Sequence, residues 1–400
     1  MALTNTTERY GGVTKTLHWL MALLILTLIP LGWFANQLPY ETDAQLTQKA
    51  WLFSLHKTLG VCAFFVAVLR ILWALSQPKP GLLNASKRME SFAAELVHWL
   101  LYGSLVIVPL SGWISHAAAA GFAPIWWPLG QGLPLVSKST GVEHFFGALH
   151  WVGTKVLIIS LLLHIAGALK HHVIDKDATL RRMLPGQPDL PPMPHQRHNI
   201  RPISGAVLIW TLAISFGSVM ASGSDHDPAQ PAVVLEQVAS EWIVQDGSIA
   251  ITVTQFGSEV TGSFADWTAA ISFDDTQLLG DVGQVRTTIA ISSLGLGSVT
   301  QQAMGADFFD ADNHATAVFD GILRHSADGY EANGTLQIKD VSVPVLLPFA
   351  LAINGDTAEM RADLTLDRRD FDIGANVSDE ASLAFAVKVA IKLTASRAKQ

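Results

Sequence analysis

The sequence predicts an all-α transmembrane four-helix bundle with a fifth transmembrane helix, followed by an all-β antiparallel barrel. Three observations predict it: long apolar runs confined to the first half, a reversal of charge near residue 224, and short stretches alternating at period two beyond it. Of 400 residues, half are hydrophobic and 15% are charged, against about 25% charged in an ordinary soluble chain; the mean hydropathy is +0.33. Residues 1–224 carry 16 Lys and Arg against 9 Asp and Glu, and residues 225–400 carry 10 against 25. Two differently solvated bodies are therefore joined, and the acidic balance excludes nucleic acid as a partner. A single cysteine, Cys62, excludes an internal disulfide framework and any multi-cysteine zinc or iron–sulfur site.

Four apolar segments, 17–34, 51–75, 92–120 and 145–169, each approach or exceed the roughly 20 residues that cross a bilayer as a helix. A fifth, 203–221, follows a basic, proline-rich connection with Arg181, Arg182, Arg197 and Arg201. Arg9, Lys15, Arg70, Lys79, Lys87, Arg88, Lys170 and Lys176 gather with those arginines at one set of helix ends, while the opposite ends hold only Lys49, Lys57, Lys138 and Lys155. The positive-inside rule then predicts a cytoplasmic N-terminus, a cytoplasmic 187–202 connection, and an outward exit of the fifth span. No signal-peptide cleavage pattern precedes the first span, so it is expected to be retained as an anchor.

Residues 222–240 are expected to be a linker. Beyond it, Ile249, Ile251 and Val253 alternate, as do Leu336 and Ile338 within the run 335–351, and Leu383, Phe385, Val387, Val389, Ile391 and Leu393 form six apolar positions at strict period two. Period two at repeated intervals predicts an antiparallel sheet, closed as a barrel or packed as a sandwich. Which parity faces inward is left open. Asp307, Asp310 and Asp312 with Asn313 suggest calcium, but the loop lacks the terminal glutamate of such a site and reads as a solvated turn. His314 and His325 read as surface or turn residues.

Fourteen histidines are the most informative residues, because an ionisable side chain inside a span is a functional hypothesis. His18 lies near the cytoplasmic start of the first span and His56 near the outer start of the second. The fourth carries His150 early and His164 late. Fourteen residues is just under four turns, so His150 and His164 share a face about 21 Å apart. By depth, His56 matches His150 on the outer side and His18 matches His164 on the inner side. Facing histidines at matched depth suit bis-axial haem ligation, and two such pairs make an electron path across the bilayer. Arg70, 14 residues after His56, sits at inner depth, either as partner to a haem propionate or as a positive-inside flank. His98 is the rival ligand.

The segments RYGGVTKTLHWL around His18, SLHKTLG around His56, VHWLLYGSLVIVPLSGW in the third span and LHWVGTKVLIISLLLHIAGALKHHVIDKDATLRRMLPG around His150 and His164 resemble the bacterial cytochrome b561 family over residues 8–186. That resemblance implies a four-helix, quinol-linked carrier with two haem b groups, whose iron ligands fall on His18, His56, His150 and His164. Relatives that serve as cytochrome subunits of nickel–iron hydrogenases share the plan, so the redox partner stays open. The segments WIVQDGSIAITV, GSFADW, ISFDD, MGADFFDADNHATAVFDG, GTLQIKDVSVPVLLPF and RRDFDIG resemble YceI-like proteins, which implies a lipocalin-like barrel over 241–396 enclosing a polyisoprenoid or similar lipid. The sequence departs from that family's pattern at Gly247, where histidine is usual, and at Asp340, where glycine is usual.

The expected function is that of an oxidoreductase-type electron-transfer protein of the bacterial inner membrane. It would exchange electrons between the quinone/quinol pool and another redox partner, with haem-binding residues His18, His56, His150, His164 and Arg70. Its periplasmic barrel would hold an isoprenoid lipid or quinone. The alternative is a membrane-tethered polyisoprenoid carrier in which the cytochrome part is secondary. Four costly intramembrane histidines favour the redox reading.

Overall fold

The computed structural model describes residues 2–398 apart from 41, 84–86, 120, 122, 127, 129, 187–189, 191–199, 225–234, 236–238, 275, 278 and 328. Most of the expected connection 187–202, with Arg197, and most of the linker 222–240 lie outside the described residues. The chain divides into two compact units, one of residues 1–37, 52–118 and 125–227, the other of 38–51, 119–124 and 228–400.

The first unit is built from α1 (Gly12–Gln37), most of α2 (Asp43–Leu75), α3 (Arg88–Ala118), α4 (Thr140–Val173) and α5 (Arg201–Ser224). All five are long and apolar enough to cross a membrane, and Leu23, Leu69, Leu72, Leu162 and Leu212 point outward. That is the arrangement a lipid solvent favours, since it offers no penalty for exposed leucine. The helices begin several residues before the apolar runs; at α4 the Ser139 hydroxyl caps the start by accepting from Val142 N. Among the described residues, the closest backbone packing in this unit joins α3, α4 and α5. The Trp210 indole of α5 enters the surface of α3 at Gly103, where a Cβ would meet it at 2.4 Å.

One end of this bundle carries most of the basic residues. Lys15 donates to the carbonyls of Leu184 and Gly186, Trp19 to that of Met183, and Arg182 to those of Gly81 and Glu8. Lys170 bridges Glu90 and Asp175 at 3.1 and 2.8 Å, and His171 Nδ1 lies 2.6 Å from Asp177. The N-terminal segment, the α2–α3 connection and the segment after α4 are thereby knitted into one polar cap.

The second unit is one antiparallel sheet of ten strands in the order β3-β4-β6-β7-β8-β9-β10-β1-β2-β5. The strands are β1 (Trp242–Gln255), β2 (Ser258–Phe264), β3 (Trp267–Phe273), β4 (Gly280–Ala290), β5 (Leu294–Gly295), β6 (Thr316–Ser326), β7 (Gly329–Ile338), β8 (Val341–Asn354), β9 (Thr357–Asp367) and β10 (Ala386–Arg397). The sheet curls into a lipocalin-like half-barrel, and its edge β3 is tied back to the approach of β1 by a bond from Glu241 N to Ile271 O at 3.0 Å. A bulge between Val244 and Asp246 switches the inward parity of β1 from Trp242 to the odd positions Ile249, Ile251 and Val253. Gly247 is required where it stands: a Cβ there would lie 2.8 Å from both the Trp267 ring and the Lys392 carbonyl.

Leu336 and Ile338 fall on β7, and the run 335–351 continues into β8 after Lys339 takes a left-handed φ of 55° and turns the chain. One strand expectation is corrected. Leu383 and Phe385 precede β10, which starts at Ala386. The buried Arg368 guanidinium takes the carbonyls of Leu383, Ala384, Ile373, Gly374 and Val377, which holds that stretch out of the sheet except for a single bridge from Leu383 to Gln255. In the turn before β6, Asp310 accepts two bonds from Asn313, in keeping with a solvated turn. His325 departs from the surface reading: it lies on β6, stacked at 4.0 Å on Tyr330.

Candidate functional site

The spacing of 14 residues recurs in all four helices of the bundle: His18 and Gly32 on α1, His56 and Arg70 on α2, His98 and Gly112 on α3, His150 and His164 on α4. Because 14 residues is close to four turns, each pair shares a helix face at two depths about 21 Å apart. One layer therefore holds Gly32, His56, Gly112 and His150, and the other His18, Arg70, His98 and His164. Midway between them, Ile25 and Met21 of α1, Ala67 of α2, Leu105 and Val108 of α3 and Leu157 of α4 form a buried apolar cluster.

In the layer of Gly32 and Gly112 the His56 and His150 rings have centroids 6.4 Å apart at 88°. Each ring occupies a gap left by a glycine. A Cβ on Gly32 would lie 2.7 Å from His56 Cε1, and one on Gly112 would lie 2.9 Å from His150 Nδ1. Through its gap His150 donates from Nδ1 to the Val108 carbonyl at 2.8 Å. A carbonyl only accepts, so the ring proton is on Nδ1 and Nε2 keeps its lone pair. His56 faces the Leu28 carbonyl, but its Nδ1 is buried without a formed hydrogen bond. Leu28 precedes Gly32 by four residues, as Val108 precedes Gly112, so α1 presents to His56 the same pattern that α3 presents to His150.

The layer of Arg70 and His98 is built differently. The His18 and His164 rings are 6.1 Å apart, and the neighbouring positions hold polar side chains instead of glycines. Arg70 lies 3.2 Å from His18 Nδ1; a guanidinium only donates, so Nδ1 accepts. The Arg70 guanidinium also lies over the Tyr102 ring at 5.6 Å. His98 packs its ring edge-on against His164 at 5.1 Å and lies 2.6 Å through Nδ1 from the carbonyl of Ala94 on its own helix.

These spacings test which pairs admit a metal centre. With metal–imidazole bonds of about 2 Å and about 1.1 Å from nitrogen to ring centre, trans rings have centroids about 6.2 Å apart. The pairs His56–His150 and His18–His164 fit that separation, while His98–His164 is too close. Gly60 and Gly167, one turn beyond His56 and His164, have nothing within 4 Å of a built Cβ. Two facing imidazoles are the nitrogen donor set that a macrocycle-bound iron takes, so the donors of either pair fit such a group.

The second unit contains a different kind of site. Its inner face encloses two adjoining apolar cavities of about 170 and 150 Å³, which share Ile249, Ile289, Leu336, Leu366 and Val389 as common walls. The inward positions left open by the sequence are the odd ones on β8 and β10 and the even ones on β7 and β9. The sequence also gave no hint of the polar pair Gln255 and Gln302 lining the second cavity, because neither belongs to an alternating apolar run.

Residues 9–186 match the family model for prokaryotic cytochrome b561, and residues 242–395 match that for the YceI-like domain. Cytochrome b561 homolog 2 of Escherichia coli K12 is 35% identical over 190 residues, which are 46% of this chain and 95% of that protein. The probable superoxide oxidase CybB of Yersinia pestis is 25% identical over 179 residues, 44% of this chain and 97% of the relative. Among solved structures, Burkholderia cenocepacia BcnA is 27% identical with a TM-score of 0.35, covering 38% of this chain and 96% of that one. A Campylobacter jejuni YceI protein is 18% identical with a TM-score of 0.31, covering 43% and 96%.

Proposed function

Because the chain belongs to the prokaryotic cytochrome b561 family through residues 9–186 and carries a YceI-like domain at 242–395, we propose that it moves electrons across a bacterial inner membrane between the quinone/quinol pool and a one-electron partner. It is a multi-pass membrane protein, and haem b and electron transport follow from the family. The finer reading is that it holds two haem b groups, the outer by His56 and His150 and the inner by His18 and His164. The observation that carries it is the pair of ring separations, 6.4 and 6.1 Å, each of the size two imidazoles would have if they held one iron between them.

Bound haem supplies reversible one-electron chemistry at two depths. The chain's own residues set the conditions for it. Gly32 and Gly112 keep room for the outer rings, and Val108 fixes the His150 proton on Nδ1, which would leave the Nε2 lone pair to hold a haem iron. The cluster around Ile25, Leu105 and Leu157 excludes water between the two depths. At the inner pair, His18 must move its proton to Nδ1 to offer Nε2, which releases Arg70 from that nitrogen. The guanidinium would then be available to a haem carboxylate, one of the two roles its depth allowed.

The basic cap supports a cytoplasmic N-terminus and a periplasmic half-barrel. The apolar cavities of the half-barrel support a long-chain isoprenoid or quinone as ligand. Quinol oxidation releases two electrons and two protons, and the chain passes the electrons on singly. The name of the Yersinia relative favours a second direction, in which two superoxide ions each give up one electron to become dioxygen and one quinone takes up both electrons with two protons. Stopped-flow reduction of the purified protein by menadiol and by superoxide, followed at the haem absorbance, tests both directions. Failure of both reductants would leave the alternative of a membrane-tethered polyisoprenoid binder.

A further inference from the structure

The second cavity of the half-barrel is apolar except at one end, where Gln255, the last residue of β1, meets Gln302 of α6 (Thr300–Met304). Gln255 is 3% exposed. Its Nε2 donates to Gln302 Oε1 at 3.4 Å, which leaves Gln255 Oε1 and Gln302 Nε2 buried without a partner. Among the described residues lining the two cavities, these are the buried side-chain polar atoms left unpaired. A buried amide oxygen or N–H without a hydrogen bond costs about 1–3 kcal/mol, so two side by side at the end of an apolar cavity call for a ligand group that satisfies both. Exchanging the oxygen and nitrogen assignments of both amides changes nothing, because one acceptor and one donor remain unmatched.

We propose that Gln255 and Gln302 form a head-group seat that selects a long-chain ligand ending in a neutral hydroxyl. The inference rests on the reading that the half-barrel holds an isoprenoid-type chain, and it adds which end group that chain carries. A hydroxyl donates to Gln255 Oε1 and accepts from Gln302 Nε2 at once. A quinone carbonyl or an ether accepts only, and leaves Oε1 unmatched. An ionised phosphate also only accepts, and brings its charge against that oxygen. Arg368 lines the same cavity, but its guanidinium N–H groups are engaged by five main-chain carbonyls, so it offers no donor to an anion. A quinol and a polyprenol share the required chemistry.

The test uses the full chain in nanodiscs and tritiated geranylgeraniol, with empty nanodiscs as background. Unlabelled geranylgeraniol, its methyl ether and geranylgeranyl monophosphate compete for retention. The seat predicts that the alcohol competes at a concentration at least tenfold below either analogue. It further predicts that the double variant Gln255→Leu, Gln302→Leu retains the label but treats alcohol and ether alike within twofold. Equal competition by alcohol and ether in the unaltered protein, or preference for the phosphate, would overturn the seat while leaving chain binding intact. No retention above background would overturn the isoprenoid reading itself, and the seat with it.

Discussion

His150 reaches the main-chain oxygen of Val108 at 2.8 Å through a gap that exists only because residue 112 is glycine. A matching gap admits the His56 ring at Gly32 on the other helix pair, where a Cβ would stand 2.7 Å from the ring. Glycine inside a helix is ordinarily destabilising by about 1 kcal/mol relative to alanine, so its presence here marks space needed by the rings.

Gly112→Ala and Gly32→Ala should therefore each displace an outer histidine and remove the outer haem, while the inner haem stays. Intrinsic helix propensity predicts the opposite, a slightly more stable protein. Haem quantification with difference spectra on the two variants separates the explanations, and full retention of both haems would show that the rings tolerate the added methyl.

Histidine replacements should fall into two pairs. His56→Ala and His150→Ala should lose one and the same haem, His18→Ala and His164→Ala the other, and His98→Ala neither, since its ring centre is only 5.1 Å from that of His164. Redox potentiometry of the haem remaining in each variant identifies which one is gone.

Arg70→Ala should keep both haems and lower the inner midpoint potential by on the order of 50 mV, equivalent to about 1 kcal/mol for one electron, because a nearby cation favours the reduced form. Arg70→Lys should retain much of the effect. An unchanged potential would reduce Arg70 to a flank of the basic end.

The polar cap should loosen in acid. Both Asp175 and Asp177 sit below the usual 3.8. For Asp175 the leading cause is the hydrogen bond from Lys170. For Asp177, burial pushes upward but is outweighed by bonds from the Thr179 N–H, the Thr179 hydroxyl and His171. A carboxyl depressed in the folded state contributes stability that is complete above its unfolded pKa and is lost as pH falls through the folded value. Hydrogen exchange at residues 174–184 should accelerate below about pH 4. Asp177→Asn should show faster exchange at pH 6 and little difference from the unaltered protein at pH 3.

Much of the bundle was legible because the membrane imposes simple rules on length, apolarity and cation placement. The histidine depths followed from the helical rise alone. What the sequence hid was the contribution of residues without functional groups: Gly32 and Gly112 matter through atoms they lack, and no composition rule separates them from Gly103, which admits the Trp210 indole instead. Arg70 was legible in depth but not in partner, because its contact with His18 joins residues 52 positions apart. In the half-barrel, alternation revealed strands but not their ends, which Arg368 sets through carbonyls far along the chain. The Gln255–Gln302 pair was invisible for the same reason: two ordinary amides acquire meaning only when an apolar cavity surrounds them.

The most direct test of the central claim is haem stoichiometry on the detergent-purified full chain, by pyridine haemochrome assay combined with a menadiol-reduced minus oxidised spectrum. Two low-spin b haems per chain, both reduced by the quinol, are the predicted result. One haem or none per chain would contradict the two-layer assignment of His18, His56, His150 and His164.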